Sequence, residues 1–149
     1  MTSLQALINE IKTFYAGHLQ VKKFGCDFKE QLFNFATKDE RYPIVFAVPN
    51  GATPTENTTE FTFDIYCFDI IQKDRANIQV ILSDCHQILN DLYIYFQLSN
   101  NYSFDVIGIP TFAPLNNDLL DYAAGWQMTI TMCVNDWTDC AVPLVNNID

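Results

Sequence analysis

Asp84, Cys85 and His86 set an acid, a thiol and an imidazole side by side, the parts of a nucleophilic site. A cysteine nucleophile works when an imidazole comes within hydrogen-bond reach of the thiol and a third group orients the ring. The three residues lie in a run whose apolar positions recur at three- and four-residue steps: Ile78, Ile81, Leu82, Cys85, Ile88, Leu89, Leu92 and Phe96. That spacing predicts one long amphipathic helix from about Arg75 to Gln97. Neighbours in a helix are turned by about 100° and do not face each other. Cys85 therefore belongs to the buried stripe, and His86 joins Gln79, Ser83 and Asn90 on the polar face. The triplet reads as one turn of an ordinary helix, and no catalytic residue is assigned.

Other combinations fare no better. The five cysteines (Cys26, Cys67, Cys85, Cys133 and Cys140) are odd in number and show no close paired spacing, which argues against a secreted disulfide framework. With no CxxC and two histidines, no zinc site is expected. Asp69, Asp74 and Asn77 suggest calcium, but the glycine and terminal glutamate of an EF-hand loop are missing. Asp74 is better read as the N-cap of the long helix. Asp118 and Asp121 read as turn residues and caps rather than a catalytic carboxylate pair. P-loop, GxGxxG, GxSxG and HExxH motifs are all absent. The reading is a protein that is not an enzyme and carries no metal or cofactor.

The elements that frame these residues follow from period and punctuation. Leu4, Leu7, Ile8, Ile11 and Phe14 give an opening helix that ends near Gly17. A short extended piece runs from Leu19 to Phe24, with Gly25 as a turn. Tyr42 to Val48 (YPIVFAV) is a buried strand. Pro49 to Glu60 (PNGATPTENTTE) reads as a polar loop, a candidate arm. From Glu60 to Phe68, Phe61, Phe63, Ile65 and Cys67 alternate with Thr62, Asp64, Tyr66 and Phe68, as a strand requires. After the long helix, a strand from Phe104 ends near Gly108-Ile109-Pro110, and Pro110 to Asp121 reads as irregular. In Ala124 to Val134 one apolar face alternates with Gly125, Gln127, Thr129, Thr131 and Cys133, so Cys133 is expected to be the most accessible thiol. The tail, 135–149, has no period, and its Trp137 and Leu144 have no element of their own to pack in.

Length and composition bound the rest. A chain of 149 residues, 49% hydrophobic, suits one domain over 1–149 with one core. The predicted class is α+β: a mainly antiparallel sheet packed by two helices in the order α-β-β-α-β-β, with an extended loop and a C-terminal tail. The start lacks the basic and apolar regions of a signal peptide, and no stretch nears the ~20 apolar residues of a membrane span. Net charge is −10, from 18 acidic and 8 basic residues, which disfavours binding to a phosphate backbone. A surface of that sign repels DNA and lets it pass without sticking.

The pattern resembles the tailed-phage neck and tail-completion proteins, which include tail terminators and head–tail joining proteins. The residues that carry the resemblance are the opening helix, HLQVKKFG at 18–25, YPIVFAVP at 42–49, FTFDIYCFDIIQKDRANIQVILSDCHQIL at 61–89, DYAAGWQMTITMCV at 121–134 and the acidic tail around CAVP. It implies a structural virion protein, made in the host cytoplasm. Such proteins form a homo-oligomeric ring, a hexamer or dodecamer, at the head–tail junction or tail end. Neighbouring neck, portal-side or tail-tube proteins are the implied partners, with DNA passing through the lumen unbound. On this reading Pro49, Thr53, Pro54, Glu56, Trp137 and Leu144 are interface candidates, and Asp64, Asp69 and Asp74 are lumen acids. The alternative is a small binding module, an adaptor or assembly chaperone that stays outside the particle. It predicts a compact monomer with one apolar groove.

Overall fold

The computed structural model describes residues 4–32, 42–55, 58–98, 104–116 and 123–134. Two helices, α1 (Leu4–Ala16) and α2 (Ile78–Leu98), pack on one face of a five-stranded sheet. The strands are β1 (Lys23–Cys26), β2 (Ile44–Pro54), β3 (Thr59–Ile70), β4 (Phe104–Asn116) and β5 (Ala123–Val134), in the spatial order β1-β2-β3-β5-β4. The class is α+β as expected, with two differences in order. The piece before Gly25 becomes a strand that includes Gly25, and it pairs with β2 in parallel, so the sheet is mixed. The remaining three pairings are antiparallel.

The alternation read in β3 and β5 sets the two sides of the sheet. Phe63, Ile65 and Cys67 of β3 and Met128, Ile130, Met132 and Val134 of β5 face the helices, where they meet Leu7, Ile11 and Tyr15 of α1 and Ile81, Cys85, Ile88, Leu89 and Leu92 of α2. On the opposite side a smaller cluster joins Ile44, Phe46 and Val48 to Tyr66, Phe68 and Ala123, with Leu32 packed over them. Leu32 follows a short 3-10 turn, Lys29–Gln31, in the connection from β1 to β2. The rest of the outer side carries Thr62, Asp64, Thr129 and Thr131. There Thr62 and Thr131 hydroxyls meet at 3.0 Å, and Thr129 donates to Asp64 Oδ1 at 2.8 Å.

Two segments expected to be irregular are strands. Most of Pro49–Glu60 forms the distal part of a hairpin, in which Ala52 faces Phe61 and Pro54 faces Thr59. Thr55 and Thr58 close the hairpin: the Thr55 amide donates to the Thr58 carbonyl at 2.8 Å. The second segment, after Gly108, continues as β4 through Pro110 and Pro114 to Asn116, past a bulge between Ile107 and Thr111. Both strands lie at a sheet edge over these stretches, where a proline forfeits no ladder bond and a bulge is tolerated. Prolines that signal a break in a central strand are therefore compatible with an edge.

The entry to α2 also differs from expectation. Asp74 is not the N-cap. It sits in a 3-10 turn with φ of 60°, and Asn77 immediately precedes the helix. The Asn77 side chain accepts from the Gln72 amide at 2.8 Å and donates to the Ile70 carbonyl at 3.0 Å. It thereby clamps the turn that leads out of β3.

Candidate assembly surface

The residues with chemical potential are held in packing roles. Cys85 is fully buried and shares the helix–sheet core with Cys67 of β3. Burial, with Cys85 next in effect, pushes the Cys67 thiol well above its ordinary range, which favours the unreactive protonated form. His86 lies against two rings, with centroids 4.7 Å from Phe112 and 5.4 Å from Trp126. His18 pairs instead with Asp91, Nε2 to Oδ2 at 2.9 Å, which ties the end of α1 to α2. Among the described residues no group of three or more His, Cys, Asp or Glu side chains is placed to hold a metal ion. Among the described residues no helix is long and apolar enough to cross a membrane. Cys133 lies on the polar side but is buried, so Cys26, half-buried in β1, is the more accessible thiol.

The interface candidates divide by location. Pro49, Thr53 and Pro54 are exposed on β2. β1 pairs only with Ile44–Ala47 of that strand, so beyond Ala47 no described strand flanks β2 on the side away from β3. Glu56, Trp137 and Leu144, and the tail as a whole, lie outside the described residues. So do Asp118 and Asp121.

The three acids do not form one surface. Asp64 is on the outer face, bonded to Thr129. Strand alternation turns Asp69 toward the helices, where burial raises its carboxyl above the ordinary range; the Ile70 amide acts against this and Asp84 reinforces it. Asp74 is exposed in the turn before α2.

Two surface features were not read from the sequence. One is the β4 bulge, where Gly108 adopts φ of 70° and presents Ile109, 84% exposed, beside Ile107. The signal was Gly108-Ile109-Pro110 itself: a glycine suited to a left-handed position, followed by a proline suited to an edge. The other is a depression beside β1 rimmed by Lys12 and Lys22. It brings together residues from α1 and the strand approach that are ten positions apart, so sequence spacing gave no hint of it.

The described surface can therefore offer two different open strand edges, on β2 and on β4, at opposite sides of one sheet. An open edge presents unpaired backbone donors and acceptors to an added strand. A search of protein-family models finds no match to the chain, and a search of curated proteins finds none.

Proposed function

We propose that the protein is a structural component of a tailed-phage particle that assembles into a ring at the head–tail junction or tail end, through which DNA passes. The observation that carries this reading is the pair of unlike edges. Contact between β4 of one copy and the distal part of β2 of the next is head-to-tail. Such heterologous contacts generate closed rings when the rotation per copy divides a full turn. Ile107 and Ile109 supply apolar area at the β4 edge, and Pro49, Thr53 and Pro54 border the β2 edge. The net charge of −10 suits a lumen that repels DNA. The neighbours are neck, portal-side or tail-tube proteins, and a hexamer or dodecamer fits the symmetry of such a joint.

The test is to mix the purified protein with the tail-tube protein and image the tube ends by negative stain. Rings capping the ends, or free rings, support the reading. A protein that stays monomeric and ignores the tube overturns it. The adaptor reading then leads, with one feature in its favour: a shallow depression between Phe14, His18, Leu19 and Tyr95, in which Leu19 is 92% exposed.

A further inference from the structure

Asn50 and Gly51 form the chain's one Asn-Gly step. In such a step the backbone nitrogen of the glycine can attack the side-chain carbonyl carbon of the asparagine, because no Cβ on the second residue crowds the approach. Regular structure suppresses this reaction by holding the backbone in a hydrogen-bonded ladder. At Asn50 the ladder is interrupted. Pro49 is level with Phe63 and Gly51 with Thr62, so Asn50 is the extra residue of a β-bulge and has no cross-strand partner. Asn50 and Gly51 are both exposed, and a Cβ built on Gly51 meets nothing within 4 Å. On the side away from β3 no described strand flanks this stretch, so its backbone can turn without breaking a second ladder.

Other asparagines are held differently. Asn9 and Asn90 lie inside α1 and α2, where the following amide is engaged in the helix. Asn77 is followed by the branched Ile78, and its side chain is bonded at both ends, to the Gln72 amide and the Ile70 carbonyl.

We propose that Asn50 is a self-modification site: in the folded chain it converts to aspartate and isoaspartate, with water as the sole co-reactant. The Gly51 nitrogen gives up its proton and bonds to Asn50 Cγ, while the Cγ–Nδ2 bond breaks and Nδ2 leaves as ammonia. The product is a cyclic succinimide, formed with no change in oxidation state. Water then adds to one of its two carbonyl carbons. Cleavage between Cγ and the Gly51 nitrogen leaves aspartate. Cleavage between the Asn50 backbone carbonyl carbon and that nitrogen leaves isoaspartate, in which the chain runs through Cγ and is longer by one methylene.

Both products add a carboxylate to the exposed part of β2. Isoaspartate also shifts 51–54 against 59–62, because the extra methylene enters between the two halves of the β2–β3 register. The half before the bulge, 44–48, is buried and stays in place. The reaction therefore uncouples the distal hairpin from the core. It belongs to the free chain and does not rest on the ring reading.

The test keeps the full-length protein folded at mildly alkaline pH for weeks, digests it under acidic conditions and maps the asparagine peptides by mass spectrometry. Asn50 is expected to convert at least tenfold faster than Asn77 or Asn90, giving two products of equal mass and different retention. Gly51→Ala should slow the conversion at least tenfold, and its Cβ has room, so the fold is kept. Hydrogen exchange in the aged protein should quicken at 51–54 and 59–62 and stay unchanged in α2. An intact Asn50 in the folded protein, while a peptide of residues 46–55 converts, overturns the proposal, because the fold then protects the site. Conversion at the same rate in Gly51→Ala overturns the route through the Gly51 nitrogen. Conversion with unchanged exchange overturns the uncoupling of the hairpin.

Discussion

Trp126 spans the sheet–helix interface: its indole Nε1 on β5 donates to the backbone carbonyl of Leu82 on α2 at 2.7 Å. The ring also meets the His86 imidazole edge-on. One side chain thus couples the strand to the helix turn that holds Cys85. Trp126→Phe keeps most of the packing and loses the donor, so a loss of about 1 kcal/mol is expected. Trp126→Ala should cost about 3 kcal/mol. Urea unfolding midpoints of the two variants check the order; equal losses would mean that the hydrogen bond contributes nothing.

Gly125 is required by close backbone approach. A Cβ at this position would stand 1.8 Å from the Cys67 carbonyl oxygen and 2.7 Å from Phe68 Cα. Both obstacles are backbone in the adjacent strand, which cannot swing aside as a side chain does. Gly125→Ala is expected to destabilise by about 2–3 kcal/mol. Gly51→Ala, where a Cβ meets nothing within 4 Å, serves as the control and should change stability by less than about 0.5 kcal/mol. Similar unfolding midpoints for the two would contradict the β3–β5 register.

Asp69 makes stability depend on pH in an unusual sense for a carboxylate. Burial raises its folded-state pKa, with Asp84 adding to the rise against the Ile70 amide. The folded state then holds the proton more tightly than the unfolded chain, so this group's contribution to stability is fully present below the unfolded value, near 3.9, and is lost as pH rises through the folded value. Asp69→Asn can keep an acceptor for the Ile70 amide, which donates at 2.7 Å. The variant should be more stable than the wild type at pH 7, with the advantage shrinking below about pH 4. Denaturation at pH 7 and pH 3.5 measures this; an equal difference at both would exclude the mechanism.

The thiols should divide by burial. Cys67, Cys85 and Cys133 are buried, and Cys26 is only partly so. Burial, then Asp27, raises Cys26 above its ordinary range as well, so its reaction should be slow but detectable. Under native conditions a mild alkylating probe, mapped by mass spectrometry, is expected to label Cys26 before these three. Rapid labelling of Cys85 would restore the nucleophile that its helix position argues against.

What was legible in the sequence was periodicity. The stripe from Ile78 to Phe96 and the alternation in β3 and β5 placed Cys85, Cys67 and Met128 in the core, where the structure has them. Edges were harder. Pro49, Pro54, Pro110 and Pro114 carry the local signature of a break, and whether a proline ends a strand depends on which side has a partner, which is tertiary information. Cys133 failed for a related reason: alternation assigned its face correctly but cannot say whether that face is covered. Asn77 and Asp74 are both capping types, and the choice between them depended on which backbone groups of the preceding turn needed partners.

The exposed edges give a separable expectation for assembly. Ile109→Lys changes a side chain that is almost fully in solvent, and Thr53→Lys another on the open part of β2. Each should leave the unfolding midpoint within about 0.5 kcal/mol of wild type. Each should also weaken self-association, because a lysine on an edge disfavours strand addition. Monomer stability and association are read by denaturation and light scattering on the same samples; weakened folding with unchanged association would reverse the assignment.

The most direct measurement is the mass of the full-length protein in solution across a concentration series, by sedimentation or native mass spectrometry, alone and with the tail-tube protein. A closed ring predicts one discrete multiple of the 17.1 kDa chain, alone or once the tube is added, and its loss in the Ile109→Lys variant. A monomer at every concentration, with and without the tube, would contradict the account.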